Sequence, residues 1–321
     1  PMTRGSAARS LRRHEEDDVL SGLRAARKHL PSRLLREAGA ELFEQVTAQD
    51  GYYPARTELA LLRQHAKTIA HHVGAEPRVV ETGHIDAIRS RLLLSALERP
   101  TSYVPVDLAH DPIARSASLL KTAFPKLDVQ PVIADPTRRF DLPAPQHEWR
   151  RTLLFVPGAQ IGNLEPSEAR AFLKMLGEIA GDDRLLLLGA DGTRDPALLD
   201  RAYDDESGVA AAFDKRVLTH LNATRGATFD VDAFDHHAVW NDAASRVELH
   251  LVSRSRQTVT IDDTTISIAA GESIITEHSY KHTPVALQAL LATAGWRPRH
   301  VFTATEVPYR LWLCEPLTWT R

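Results

Sequence analysis

One cysteine, Cys314, stands among 321 residues. That count excludes an intrachain disulfide and a cysteine zinc cluster, and it fits a reducing compartment. Cys314 lies in the run Leu311-Trp312-Leu313-Cys314 and is expected as a small core residue rather than a nucleophile. No apolar run reaches membrane-spanning length, and no signal-peptide segment follows Met2, so the expected location is cytoplasmic. Neither sign of charge dominates, because 39 Lys and Arg face 42 Asp and Glu for a net charge of −3. There is no basic block for nucleic acid and no acidic tail for a basic partner. Internal repeats and low-complexity tracts are absent too.

The remaining composition, 43% hydrophobic and 25% charged, is that of a globular protein large enough for one large or two medium domains. Residues 1–19 are polar and read as a mobile arm. Leu20 to Leu30, then Leu34 to Val46, carry apolar residues at helical spacing, and a further helix follows Gly51-Tyr52-Tyr53-Pro54. From Arg78 onward, strands and helices alternate. Strands are expected at 78–82, 102–106, 129–133, 151–156 and 184–188, with helices at 89–97, 112–124 and 167–180, the last with Ser167 as its N-cap. Apolar strands alternating with helices predict a parallel sheet covered on both faces. Ligands of such sheets bind at the carboxyl ends of the strands, which here carry Glu81, Gly83, Asp107, Asp135 and Gly158.

After Leu188 the pattern changes. Helix is expected from Pro196 through Phe213 to Leu221. Residues 247–251, 258–261 and 272–277 alternate like antiparallel strands with one wet face. A helix at 284–294 closes at Gly295, and Val301-Phe302 with Tyr309–Cys314 could pair at the sheet edge. His71-His72 and His236-His237 are expected at exposed helix ends or loops.

Several short strings are more specific. Tyr52-Tyr53-Pro54-Ala55-Arg56-Thr57-Glu58, Ile161-Gly162-Asn163-Leu164, Arg201-Ala202-Tyr203-Asp204-Asp205 with Gly208-Val209 and Ala211-Ala212-Phe213, Phe229–Phe234, and Thr276-Glu277-His278-Ser279 occur in this order. Each resembles a segment of the histidine-specific methyltransferase family that opens ergothioneine biosynthesis. The resemblance covers about residues 20 to 316. It implies an α/β fold, with a Rossmann-type class I methyltransferase domain at 57–193 and 282–321. A second, α+β substrate-binding domain would occupy 20–56 and 194–281. It implies S-adenosylmethionine as cofactor, an amino acid as small-molecule substrate, and transfer to the α-amino group of histidine or a related amino acid.

Residue roles carry over with the strings. Asn163 and Tyr203 match the residues that hold the substrate amine and carboxylate and would be the catalytic pair. Tyr52 and Phe213 would close the amino-acid site, although aromatic residues at such positions also serve as packing. Glu277 and Ser279 match a pair that hydrogen-bonds the imidazole, and a carboxylate suits an imidazole N–H. Leu35 stands where the family has a further tyrosine. Glu81, Gly83, Arg89, Asp107, Asp135 and Gly158 match the cofactor side.

That side also departs from the family. The string ELGSGTSEKT becomes Glu81-Thr82-Gly83-His84-Ile85-Asp86-Ala87-Ile88-Arg89-Ser90, so Ile85 replaces the second glycine. A β-branched residue resists positive φ. Pro136 follows Asp135 where the family has phenylalanine, and Pro157 and Ala159-Gln160 alter the loop after the fourth strand. Two other readings therefore stand beside the methyltransferase. One is a non-catalytic or repurposed homologue that binds an amino acid or a heteromeric partner chain without S-adenosylmethionine. The other is a metal enzyme using His84, Asp86, Asp107 and His110, set against the usual case of solvated or core histidines; no metal is expected.

Overall fold

A computed structural model of the protein describes residues 18–317. The arm expected over residues 1–19 lies outside them as far as residue 17. The chain divides into two compact units, Thr47–Asp195 with Asp242–Arg246 and Ser279–Arg321, and Pro1–Val46 with Pro196–Asn241 and Val247–His278.

The larger unit is built on an eight-stranded sheet. Its strands are β1 (Pro77–Thr82), β2 (Ser102–Asp107), β3 (Asp128–Val129), β4 (Val132–Ile133), β5 (Arg151–Val156) and β6 (Arg184–Asp191), followed late in the chain by β12 (Trp296–Thr303) and β13 (Tyr309–Pro316). The order is β12-β13-β6-β5-β1-β2-β3, with β4 also on β2. Strands β1 to β6 pair in parallel. Strand β13 runs antiparallel between β6 and β12. From β1 the chain moves outward through β2 to β4, then returns to the other side of β1 as β5. The order thus reverses between β1 and β5, and a ligand crevice opens at the carboxyl ends of such a pair.

Both sheet faces are covered, which explains the unbroken apolar strands. Leu153, Phe155 and Leu187 pack with Leu62 and Ile69 of the helix Tyr53–Val73. Leu154, Val156 and Leu188 pack with Phe172 and Leu176 of the helix Pro166–Ala180. Cys314 is fully buried on the second face, and burial pushes its thiol well above the usual range, so it is a core residue.

Several local expectations change. The third strand, expected as one piece, is two two-residue strands. Pro131 between them has no N–H for the ladder. The helix Pro166–Ala180 begins one residue before Ser167, and its N-cap is Glu165. Glu165 and Glu168 form a reciprocal capping box with Pro166 at the first helical position, so a carboxylate does what a hydroxyl was expected to do. Residues 18–24 are helical, but the helix does not reach Leu30. The Leu30 amide donates to Ile275 and the Ile275 amide to Lys28 at 2.8 and 2.9 Å, which draws that segment alongside a strand.

The smaller unit contains the helices Ser32–Thr47, Pro196–Tyr203 and Val209–Arg225. The single helix expected from Pro196 breaks after Tyr203, where Gly208 takes φ +77° and Asp205 accepts the Val209 and Ala210 amides at 3.1 and 2.6 Å. Its strands are β7 (Phe234–Asn241), β8 (Arg246–Ser253), β9 (Gln257–Ile261), β10 (Thr264–Ile268) and β11 (Ser273–Tyr280), of which Arg246, Ser279 and Tyr280 fall in the larger unit. They form a β11-β8-β7 sheet and a β9-β10 hairpin. In the hairpin turn Asp262 and Asp263 both take positive φ, 45° and 59°, the conformation that favours aspartate in a two-residue loop. Val259 and Ile261 are buried while Thr258 and Thr260 are exposed, the one-sided burial expected of β9.

Candidate active site

The turn after β1 closes without strain at its altered position. Among Gly83, His84, Ile85 and Asp86, only Gly83 takes positive φ, +86°. Ile85 is buried at 3% exposure, and its carbonyl accepts from Ser116 at 3.3 Å. The conformational objection to a β-branched residue here therefore does not apply. Asp86 caps the next helix, Ala87–Ala96, by accepting the Ile88 and Arg89 amides at 2.8 and 3.4 Å. A side chain at Gly83 would sit at φ +86° and, with its Cβ 2.6 Å from the Gln160 amide oxygen, would displace that amide. Burial and the nearby Arg89 push the His84 imidazole down to about 4, so it is neutral near pH 7.

Beneath this turn lies a buried polar cluster. Arg89 donates from Nη2 to the His84 carbonyl at 2.6 Å and to Glu81 at 3.2 Å, and from Nη1 to Glu58 at 3.5 Å. Glu81 also accepts from Ser90 at 2.7 Å and Tyr103 at 2.8 Å. Glu58 accepts the Tyr309 hydroxyl at 2.8 Å and, at 3.0 Å to each oxygen, the Gly158 amide. One cation thus serves two carboxylates that are 0% exposed. Burial raises both glutamates while Arg89 opposes the rise. Arg89 is lowered by burial but raised overall by Glu58 and Glu81. The cluster ties the β1 turn, through His84, to the β5 loop, through Gly158. Glu58 was visible only as the last residue of the YYP string, and nothing in the sequence joined it to Arg89.

Asp107 ends β2 at 8% exposure and accepts the Ala109 amide at 3.3 Å. Asp135, just past β4, accepts from the Thr137 amide and hydroxyl at 2.9 and 2.7 Å. Gly158 takes φ +69° in the loop after β5. Among the described residues no three side chains of His, Cys, Asp or Glu are placed to hold a metal ion. His110 pairs instead with Asp111 on the surface.

The expected amino-acid residues divide between the units. In the larger one, Asn163 ends the short 3-10 turn Gln160–Asn163 after β5 and is half-buried. Tyr52 is 8% exposed and precedes the helix Tyr53–Val73. Ser279 is 6% exposed and accepts from Lys281 Nζ at 3.1 Å. Lys281 itself is bound to Asp191 at 2.8 Å, and Asp191 also accepts from Tyr53 at 2.5 Å. Burial would raise the Asp191 carboxyl, but Lys281 and these hydrogen bonds hold it below the usual range. The sequence reading did not foresee this buried ion pair, which lay two residues beyond the Thr276–Ser279 string.

In the smaller unit, Tyr203 ends its helix and Glu277 is half-buried on β11. The Phe213 ring lies 5.5 Å from that of Phe43 and against Gly39, where a Cβ would come within 2.6 Å of it. His236, expected in an exposed loop, is instead buried on β7 at 7% exposure. Its ring lies 2.7 Å from Asp214 and 2.9 Å from the Tyr203 carbonyl.

A parallel sheet whose order reverses beside β1, with an acid ending β2 and an antiparallel strand inserted next to β6, defines a Rossmann-type class I methyltransferase domain. The sequence profile described as "Histidine-specific methyltransferase, SAM-dependent" matches residues 15–316, and the chain belongs to that family. It is 37% identical to the histidine N-alpha-methyltransferase of Mycolicibacterium smegmatis, over 93% of this chain and 92% of that one. The Mycobacterium tuberculosis protein of the same name is also 37% identical, over 87% of each chain. Ergothioneine biosynthesis protein 1 of Neurospora crassa is 26% identical over 84% of this chain and 31% of its own length.

Proposed function

We propose that the protein transfers a methyl group from S-adenosylmethionine to the α-amino group of histidine. The observation that carries this reading is 37% identity along 93% of the chain to a histidine N-alpha-methyltransferase.

The residues at the crevice fit the cofactor. Gly83 has no side chain where the chain must turn at positive φ, Asp107 and Asp135 would supply acceptors for ribose and adenine, and a buried amide nitrogen of Gln160 has no partner among the described residues. When bound, the cofactor supplies a methyl group on a positively charged sulfur. The chain's own task is to present a neutral amine in line with that methyl group. The products would be the demethylated cofactor, a neutral sulfide, and the methylated amine, whose displaced proton would pass to solvent. Asn163 would accept a hydrogen bond from the amine and orient its lone pair. Tyr203 and Tyr52 would donate to the substrate carboxylate, and Glu277 and Ser279 would take the imidazole nitrogens. Phe213 would shape the site through the helix it packs against. Glu81, Arg89 and Gly158 would hold the cofactor turns in place from beneath.

Of the three altered loops behind the cofactor-free reading, the first carries no backbone obstacle, because Ile85 occupies an ordinary backbone conformation. Among the described residues no helix is long and apolar enough to cross a membrane. A cytoplasmic enzyme acting on a small molecule, without nucleic-acid or membrane partners, is the reading we adopt.

Calorimetric titration with S-adenosylhomocysteine, with and without histidine, tests the assignment. Binding tightened by histidine, followed by Nα-methylated histidine in the turnover mixture by mass spectrometry, is the expected result. A folded protein that binds neither cofactor form at millimolar concentration would overturn it.

A further inference from the structure

The amide nitrogen of Gln160 is buried and has no hydrogen-bond partner among the described residues, in a residue 7% exposed. Its amide oxygen accepts from Thr82 Oγ1 at 3.3 Å, which orients the group and leaves the NH₂ as the donor without an acceptor. A buried donor left unpaired costs more than an ordinary hydrogen bond gains, so the position calls for an acceptor from outside the chain.

The location says which acceptor. Gln160 follows β5 and Gly83 follows β1, the adjacent strands between which the sheet order reverses. The amide lies over Gly83, where a Cβ would come within 2.6 Å of its oxygen and 3.1 Å of its nitrogen. Asp107 and Asp135 stand at the ends of β2 and β4, on the far side of β1. A nucleoside held by those two acids directs its other end toward β1 and β5. In S-adenosylmethionine that end is the methionyl group, whose only anionic group is a carboxylate.

We propose that Gln160 Nε2 donates a hydrogen bond to the methionyl carboxylate of the cofactor, above the turn at Gly83. The proposal rests on the cofactor assignment made under the proposed function. Ala159-Gln160 is one of the departures from the family in the loop after β5, so this donor belongs to the chain's own version of the loop. Ala159 takes the left-handed conformation, φ 57°, immediately before Gln160, a strained setting for a non-glycine residue that fixes how the next side chain leaves the backbone.

The test compares two ligands by calorimetry, S-adenosylhomocysteine and 5′-methylthioadenosine, which has the same nucleoside and sulfur but no amino-carboxyl end. Gln160→Met should weaken S-adenosylhomocysteine about 10- to 100-fold and leave methylthioadenosine within about twofold. Its melting temperature without ligand should equal or exceed that of the unmodified protein, because an unpaired buried donor has gone. Gln160→Glu, which sets an acceptor against the carboxylate, should weaken S-adenosylhomocysteine at least as much. Unchanged affinity in both variants overturns the proposal, as does equal loss for the two ligands. A lower melting temperature with unchanged affinity overturns it too, by making the amide structural. If the unmodified protein binds neither nucleoside, the cofactor assignment itself fails, and that failure shows before any variant is made.

Discussion

His236 Nδ1 lies 2.7 Å from a carboxylate oxygen of Asp214, and its Nε2 lies 2.9 Å from the Tyr203 carbonyl. Both partners are acceptors, so the ring must donate from both nitrogens, and only the imidazolium can. Burial lowers the His236 pKa, but the Asp214 hydrogen bond and charge and the Tyr203 carbonyl raise it above the usual value overall. Asp214 is 0% exposed and also accepts the Thr276 hydroxyl.

The pH dependence follows from that shift. The folded pKa of His236 lies above its unfolded value of about 6.5, so its stabilisation is complete below about 6.5 and is lost as pH rises through the folded value. Urea unfolding midpoints should therefore fall between neutral and mildly alkaline pH, and His236→Gln should flatten that fall while lowering stability at pH 6. Asp214→Asn should cost about 3 kcal/mol at pH 6. A slope identical in His236→Gln would show that another group titrates.

Among the described residues, Arg89 is the only cation paired with Glu58 and Glu81 in their buried cluster. Arg89→Met leaves two carboxylates without a countercharge, an expected loss of about 3–5 kcal/mol at neutral pH. Without Arg89, burial raises both glutamate pKa values further. The folded state then holds protons that the unfolded state releases, so the variant's deficit should shrink on acidification toward pH 5 and grow toward pH 8. Denaturant titrations at the two pH values measure this. A deficit independent of pH would mean that lost packing, not charge, dominates.

What the sequence made legible was what local chemistry decides. The strands at 78–82, 102–106 and 151–156 could be read because their apolar runs are covered on both faces. Strand β7 could not, since Asp235, His236 and His237 are polar residues that become strand through pairing with β8. Glu58, Arg89 and Tyr309 meet across 251 positions of sequence separation between the outer two, and no local pattern announces such a meeting. Gln160 read only as a departure from a family string. Its unpaired amide becomes visible only when Thr82 and Gly83 are placed beside it. Membership of the family was legible because short strings such as Tyr52–Glu58, Ile161–Leu164 and Thr276–Ser279 resemble family segments in the same order, and the family profile matches residues 15–316.

Glu277 is half-buried on β11, two residues before Ser279 on the same side of the strand. If it receives an imidazole N–H, Glu277→Gln should weaken histidine binding about tenfold or more, because a charge-assisted hydrogen bond becomes neutral. S-adenosylhomocysteine binding measured without histidine should not change. Calorimetry of both ligands on the same preparation separates the two. Parallel loss of both would place the effect on the fold.

Restoring the family's second glycine should harm this protein. Ile85 is 3% exposed and at ordinary φ, so Ile85→Gly removes a packed side chain and adds chain entropy in the unfolded state. About 3–5 kcal/mol of stability should be lost, with no gain in affinity for S-adenosylhomocysteine. Gly83→Ala is the complementary change. It places a side chain at φ +86° and 2.6 Å from the Gln160 amide, an expected cost of about 1–2 kcal/mol for the backbone alone, and it should weaken cofactor binding through the displaced amide. Thermal melts with and without S-adenosylhomocysteine read both effects. Were Ile85→Gly to bind the cofactor more tightly than the unmodified protein, Ile85 would be an obstruction in the cofactor site instead of part of the core that supports it.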